Sequence, residues 1–179
     1  MKSEHTTFSN PIIKDRVEIL EDTDQLLKFR TYLEAGGGQN ELHYHASITE
    51  TFTMIKGELC VKLATSEIVL KAGDVKTIPQ FTHHMFYNKS DSEVVFDVEI
   101  THPQNMLKAL QIMYGLTKDG KVTKKGIPKN ISHTAIGIKM MDAFSPKIPH
   151  FIQKFGINTL AFLGKISGLE KKLLTKYTL

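Results

Sequence analysis

The segment GGGQNELHYHASITETFTMIKG, residues 36–57, contains His43 and His45 and, five residues later, Glu50. Side chains alternate between the two faces of a strand, so His43 and His45 point to one side and Tyr44 to the other. The four-residue connection ASIT allows the glutamate to begin the next strand beside the histidine pair. Two imidazoles and a carboxylate from neighbouring strands are typical metal ligands. A polar strand that carries histidines by chance is the competing interpretation.

The composition is that of a globular protein. The chain has 179 residues, of which 41% are hydrophobic and 23% charged, which suits one domain with a sizeable core. Cys60 is the only cysteine, so no intramolecular disulfide can form, and a reducing, cytoplasmic location is expected. The first ten residues lack the apolar region of a secretory signal, and no apolar run is long enough to span a membrane.

Charge divides the chain into two parts. Residues 1–100 contain 10 lysines and arginines against 16 acidic residues, whereas residues 101–179 contain 13 lysines, no arginine and 3 acidic residues. The pattern changes from strand-like to helix-like at the same point. We therefore predict a β domain over residues 1–100 and a basic helical extension over residues 101–179, packed on that domain or on a partner subunit.

Short alternating segments predict strands in the first part. Glycine and proline separate them, notably Gly57, Gly73 and Pro79. Many short strands with closely spaced turns are typical of an all-β sandwich or barrel. The predicted strands are 16–20, 27–33, 50–55, 58–63, 67–70 and 93–100.

A second histidine pair, His83 and His84, occurs in GDVKTIPQFTHHMFYN, residues 73–88. Together the two segments resemble the paired motifs of the cupin family. Phe81 departs from the pattern, because the family usually has glycine at that position. The matching positions, all at the family's spacing, are Gly37, His43, His45, Glu50 and Gly57 in the first motif and Gly73, Pro79, His84 and Asn88 in the second.

The resemblance covers roughly residues 10–100 and implies a double-stranded β-helix, or jelly-roll barrel, that binds a metal through His43, His45, Glu50 and His84. Its register selects His84 over His83. Three imidazoles and one carboxylate suit a divalent transition ion such as Mn, Fe, Ni, Cu or Zn. In six-coordinate geometry, four protein ligands leave two positions for water, substrate or O₂. Glu50 is also a candidate for proton transfer.

The same register predicts an apolar pocket wall beside the metal, formed by Phe52, Met54 and Phe86. Such residues serve equally well as core, and both roles are compatible at a barrel mouth. Tyr44 and His83 point outward and are expected at the surface or at a subunit contact. The remaining histidines, His5, His102, His133 and His150, have no metal-like spacing.

Helical periodicity in the extension predicts one helix within 103–120, a second over 131–144 capped by Ser132, and one or two more over 151–177. Glycines 156, 164 and 168 are expected to interrupt the last segment. The extension has more apolar surface than one barrel needs, so a homodimer is expected. A basic amphipathic helix also fits a membrane surface, although packing against the barrel is favoured. Nucleic-acid binding is not expected, because the extension lacks arginine and any recognisable reader motif.

Three functions are compatible with these features. The favoured one is a metal-dependent enzyme, oxygenase-like, that acts on a small organic oxyanion, enol or phenol. The alternatives are a non-catalytic small-molecule binding or sensor protein, and a peripheral membrane or interaction protein that acts through its basic extension. The fold does not decide among them, because cupins have many functions.

Overall fold

The structure, a computed structural model, describes residues 6–178. His5 lies outside this range. The elements in chain order are β1 (Thr7–Asn10), β2 (Asp15–Asp22), β3 (Leu26–Leu33), β4 (Tyr44–His45), β5 (Thr49–Lys56), β6 (Glu58–Leu63), β7 (Glu67–Lys71), β8 (Val75–Ile78), β9 (His84–Tyr87), β10 (Val94–Thr101), α1 (Met106–Lys118), α2 (Ile131–Met141), β11 (Ala143–Phe144), α3 (His150–Ile166) and α4 (Leu169–Tyr177).

The strands form a jelly-roll sandwich. A six-stranded antiparallel sheet has the order β1-β2-β3-β10-β5-β8, and a three-stranded sheet has the order β7-β6-β9. The short strand β4 pairs with β11, which belongs to the extension. The predicted jelly-roll fold with C-terminal helices is confirmed.

Alternation in the sequence accounts for the burial of the central strands. In β3, every second side chain from Leu27 to Leu33 is buried, while Lys28 and Arg30 face outward and bind carboxylates of β10. One face of the six-stranded sheet therefore supplies the core and the other carries paired charges. This is the expected division for an antiparallel sheet with one face exposed to solvent.

Three phenylalanines join the two sheets. Phe52 and Phe96 come from the six-stranded sheet and Phe86 from β9, and their rings meet edge to face at centroid distances of 5.3–6.0 Å. Such edge-to-face pairs stabilise a core beyond the area they bury. The His84 ring lies 6.5 Å from that of Phe52, so the histidine cluster stands beside this aromatic core.

The helical extension packs on the sandwich of its own chain. Met106 and Tyr114 of α1 belong to the same buried cluster as the sheet residues. The opposite side of α1, with Ile112 and Leu116, forms a second cluster with Ile136 and other residues of the later helices. Helix α1 is therefore the layer between the sandwich and the rest of the extension.

Two local predictions about the extension are wrong. Helix α2 is capped by Asn130 rather than by Ser132, because the Asn130 side chain accepts hydrogen bonds from the backbone N–H groups of Ser132 and His133. Helix α3 runs through Gly156 and Gly164 without interruption. An added Cβ at Gly164 would lie 2.8 Å from the Ile136 side chain, so this glycine allows close helix packing. The break comes at Gly168, whose φ is +74°.

A buried acid ties α1 to the sheet. The Tyr114 hydroxyl donates to Asp15 Oδ2 over 2.6 Å, and Asp15 is 6% exposed. Within the described part of the chain, Asp15 Oδ1 has no hydrogen-bond partner. Burial raises the pKa of Asp15 to about 6, against the lowering effect of the Tyr114 hydrogen bond and nearby backbone amides; the charge of Glu34 adds to the rise. A carboxyl group whose pKa is higher in the folded state makes folding less favourable once the unfolded chain ionises.

We predict that Asp15→Asn changes the pH dependence of stability. The wild-type protein loses up to about 3 kcal/mol of unfolding free energy as the pH rises from about 4 to about 6, because the unfolded chain releases the Asp15 proton first. The Asp15→Asn variant has no ionisable group at this position and lacks this loss. Its unfolding free energy therefore rises relative to that of the wild type across that interval. Urea unfolding at several pH values measures it. Asp91→Asn, in an exposed loop, is the control. Parallel pH profiles for wild type and Asp15→Asn would contradict the prediction.

Candidate metal centre

The two sequence motifs meet where the sheets face each other. Glu50 comes from β5 of the six-stranded sheet and His84 from β9 of the three-stranded sheet. His45 lies in β4, and His43 forms an antiparallel bridge with His84. Segments separated by about forty residues in sequence thus place their polar side chains at one point.

The four residues form one compact cluster. One donor atom from each of them, His43, His45, Glu50 and His84, lies within 4.8 Å of all the others. His84 Nε2 is 2.8 Å and His45 Nε2 3.7 Å from Glu50 Oε2. The structure places His84, rather than His83, in this cluster; the His83 ring instead contacts Tyr44 at a centroid distance of 5.3 Å.

Backbone carbonyls fix the tautomers of two imidazoles. His45 Nδ1 lies 3.1 and 3.2 Å from the carbonyl oxygens of Met141 and Asp142, and His84 Nδ1 lies 2.8 Å from that of Thr82. Carbonyl oxygens only accept hydrogen bonds, so each Nδ1 carries a proton and donates it. Each Nε2 is left to face Glu50. A backbone partner on the far nitrogen is the usual arrangement for metal-binding histidines.

Electrostatics keep Glu50 and His43 in the form that binds a cation, whereas for His84 the lowering effect of burial is outweighed by the hydrogen bond with Glu50, which raises the pKa, so this ring releases a proton when a metal binds. Burial alone would raise the pKa of Glu50, but the nearby His45 and the hydrogen bond with His84 lower it to about 2, so the carboxylate stays ionised. Burial, with the neighbouring His84 and His45, lowers the pKa of His43 to about 3, so that imidazole is neutral. An ionised carboxylate and a neutral imidazole are the forms that bind metals.

One buried nitrogen of the cluster has no partner among the described residues. Among residues 6–178, His45 Nε2 is buried without a hydrogen-bond partner, although it lies next to an ionised carboxylate. Burial removes the hydrogen bond of this nitrogen with water, which costs free energy unless another group binds the nitrogen. A bound metal ion would give this nitrogen a partner, so these four residues can hold a metal ion.

The sequence profile of the family described as the cupin domain matches residues 29–101, the range that contains all four donors. The chain contains a cupin domain. No curated protein matches the chain by sequence.

Three solved structures are similar to part of this chain. A sugar phosphate isomerase of the cupin superfamily from Silicibacter pomeroyi is 20% identical, covers 55% of this chain and 71% of its own, and gives a TM-score of 0.51. KdgF from a Halomonas species is 20% identical, covering 56% of this chain and 92% of its own with a TM-score of 0.49. An RmlC-like cupin from Shewanella frigidimarina is 15% identical, with coverages of 56% and 86% and a TM-score of 0.49.

The donors of the cupin domain open onto a cavity of about 190 Å³. His43, His45 and Glu50 line it, whereas His84 is not among its lining residues. The sheets supply only part of the wall. The rest comes from the extension, through α1, the connection between α1 and α2, and the end of α2. These lining residues are Met106, Leu110, Met113, Tyr114, Thr117, Lys125, Gly126 and Met141.

Two of the three predicted pocket residues line the cavity. Phe52 and Phe86 line the cavity. Met54 is 3% exposed and belongs to the core cluster, and it is not among the residues around the cavity. Asn88 also points inward, but its amide donates to the backbone carbonyls of Leu33, Glu34 and Ser92, so it holds a turn together.

The extension also holds a ligand in place, a role that the sequence did not reveal. Asp142 ends α2 in the left-handed conformation, with φ of 50°. Its carboxylate accepts hydrogen bonds from the backbone N–H groups of Ala46 and Ser47 and from the Ser47 hydroxyl, over 2.6–2.8 Å. Its carbonyl oxygen, like that of Met141, accepts a hydrogen bond from His45 Nδ1–H. One residue therefore fixes both the backbone after His45 and the orientation of its ring.

Tyr44 is not at the surface, so that expectation is wrong. It is 5% exposed, because Phe144 stacks on its ring and His150 Nδ1 lies 3.1 Å from its hydroxyl. Phe81, which replaces the usual glycine, keeps a left-handed backbone with φ of 60°. Its ring lies 5.9 Å from that of Tyr44, so the side chain gains a contact that glycine could not make.

We predict that His84→Ala removes metal binding and that His83→Ala does not. His84 Nε2 faces Glu50 within the cluster, whereas the His83 ring contacts Tyr44 outside it. The metal content of each variant, purified without chelator, is measured by mass spectrometry. Loss of the metal in His83→Ala, with retention in His84→Ala, would contradict the assignment.

We also predict that Asp142→Ala weakens metal affinity by about 10–100-fold although Asp142 is not a ligand, because His45 loses its fixed orientation. Asp142→Asn is the matched control. Asparagine tolerates the left-handed conformation and keeps a side-chain oxygen that accepts from Ala46 and Ser47. Titration with a competing chelator gives both affinities. Wild-type affinity in Asp142→Ala would show that the side-chain contacts of Asp142 do not position His45.

Proposed function

We propose that the protein is a metal-dependent enzyme, oxygenase-like, that acts on a small organic oxyanion such as an enolate, a phenolate or a carboxylate. The observation that carries this proposal is the position of the four donors, which lie close together and of which His43, His45 and Glu50 line a cavity large enough for a small molecule. A structural metal site has no need of an adjoining cavity, because its ligands fill the coordination sphere.

The donor set supports one class of metal and one sign of substrate charge. Three imidazoles and one carboxylate suit a divalent ion of the series Mn, Fe, Ni, Cu and Zn. When bound, such an ion supplies Lewis-acid or redox chemistry at positions beyond the four protein donors. The single carboxylate leaves a net positive charge on a divalent site, which favours anionic oxygens.

Glu50 has two proposed roles, as a metal ligand and in proton transfer, and the first is better supported. Its pKa of about 2 keeps it ionised and supports the role of ligand. A general base works best when its pKa is close to the working pH, so the same value gives less support to proton transfer by Glu50. Glu50 Oε2 also lies 2.8 Å from His84 Nε2, which places these two donor atoms side by side for one cation.

The remaining cavity residues support a planar organic substrate. Phe52 and Phe86 supply apolar wall from the sheets, and Met106, Leu110 and Met113 of α1 supply more. Gln39 adds a polar group at this wall, with its Oε1 held by the backbone N–H of Phe86 over 3.0 Å. A mainly apolar cavity with a few placed polar groups is typical of small-molecule sites.

The decisive experiment joins metal analysis to turnover. Protein purified without chelator is analysed for Mn, Fe, Ni, Cu and Zn, and O₂ uptake is then measured with a panel of diketones, phenols and flavonols. Oxygen consumption that depends on both the metal and one substrate class supports the enzyme. Tight binding of these compounds without turnover would favour the non-catalytic binding protein instead.

We predict that Glu50→Gln keeps the fold, lowers metal affinity by more than about 100-fold and abolishes turnover, because the site loses its only anionic ligand. Circular dichroism, chelator competition and O₂ uptake measure the three effects. His83→Ala serves as the control and retains all three properties. Wild-type metal affinity in Glu50→Gln would remove Glu50 from the ligand set.

A further inference from the structure

Helix α3 has two apolar sides, and only one of them is covered. Ala161 and Gly164 are buried, and Gly164 lies directly against Ile136 of α2. The large apolar side chains point the other way. We call them the α3 outer face: Phe151 (73% exposed), Ile152 (51%), Phe155 (77%), Phe162 (59%), Leu163 (49%) and Ile166 (65%).

These six side chains lie on one side of α3, with the exposed Thr159 between the first three and the last three. At 3.6 residues per turn they lie within an arc of roughly 120° around the helix axis. Scattered apolar residues are normal on protein surfaces, but three phenylalanines and three aliphatic residues exposed on one side of a single helix mark an interaction site. The small residues on the covered side and the large ones on the open side reverse the usual arrangement of a surface helix.

Charge around the α3 outer face indicates the partner. Lys154 and Lys165 are exposed and, by helical geometry, border the face within about 60° of Phe151. The sequence from residue 143 to residue 169 contains three lysines and no acidic residue. An apolar stripe bordered by lysines matches a surface that is both apolar and anionic, which is the boundary of a bilayer containing acidic lipids.

A second copy of the chain fits this surface less well. If two α3 helices met through their outer faces, lysines would come from both sides, and α3 contains no carboxylate to pair with them. Like charges brought together at an interface oppose association. The homodimer expected from the sequence stays a prediction, and it is the competing occupant of this face.

We propose that the α3 outer face binds the surface of anionic membranes, with its phenylalanines inserted at the headgroup boundary and its lysines at the lipid phosphates. No helix among residues 6–178 is long and apolar enough to cross a membrane. The proposed contact places the axis of α3 in the plane of the interface. It is independent of the function proposed for the metal centre.

Flotation with vesicles tests this proposal. The 179-residue protein is mixed with vesicles of phosphatidylcholine alone, or of phosphatidylcholine with about one third phosphatidylglycerol, chosen as an arbitrary working ratio. We expect it to float with the anionic vesicles and much less with the neutral ones. Phe155→Ser/Phe162→Ser lowers the partition coefficient at least about tenfold. Val75→Ser, which changes an equally exposed residue on β8, leaves it unchanged.

Charge variants separate the two parts of the contact. Lys154→Gln and Lys165→Gln each lower partitioning onto anionic vesicles about fivefold, and added salt has the same direction of effect. Circular dichroism and thermal melting check that each variant is folded.

Three results would overturn the proposal. One is a wild-type protein that fails to float with anionic vesicles, and another is a double serine variant that floats as well as the wild type. The third is a wild-type dimer in sedimentation velocity that Phe155→Ser/Phe162→Ser converts to a monomer, because the face would then belong to a second copy.

Discussion

The Nδ1–H group of His45 donates to the carbonyl oxygens of Met141 and Asp142, and both the metal centre and the extension depend on this contact. It turns Nε2 toward Glu50, which makes the ring a potential ligand. It also uses carbonyl groups at the end of a helix, where the backbone has no partners of its own. One hydrogen-bonding requirement of the helix and one of the imidazole are thus satisfied together.

The position of α1 is consistent with this constraint. With the end of α2 held at β4, Met106 and Tyr114 of α1 complete the sheet core. The same helix lines the cavity together with Phe52. Side chains of the extension thus form part of the wall around the donors of the cupin domain.

The sequence predicted those features that depend on short-range spacing. Strand alternation gave the central strands, and the two motifs gave four donors that the structure brings together, with His84 chosen over its neighbour. It could not give Asp142, which contacts residues about 95 positions away and has no characteristic spacing to them. Tyr44 was misjudged for the same reason, because Phe144 and His150, which cover it, lie in the extension.

Periodicity has a comparable limit in α3. Its sequence is apolar over most of the helix circumference, so the pattern predicts a helix but does not say which side faces the protein. In the structure Ala161 and Gly164 are the buried residues of α3, and an added Cβ at Gly164 would lie 2.8 Å from the end of the Ile136 side chain. With this small-residue side packed inward, the phenylalanines on the other side of the helix are exposed. The lysines beside them then give that exposed surface its charge.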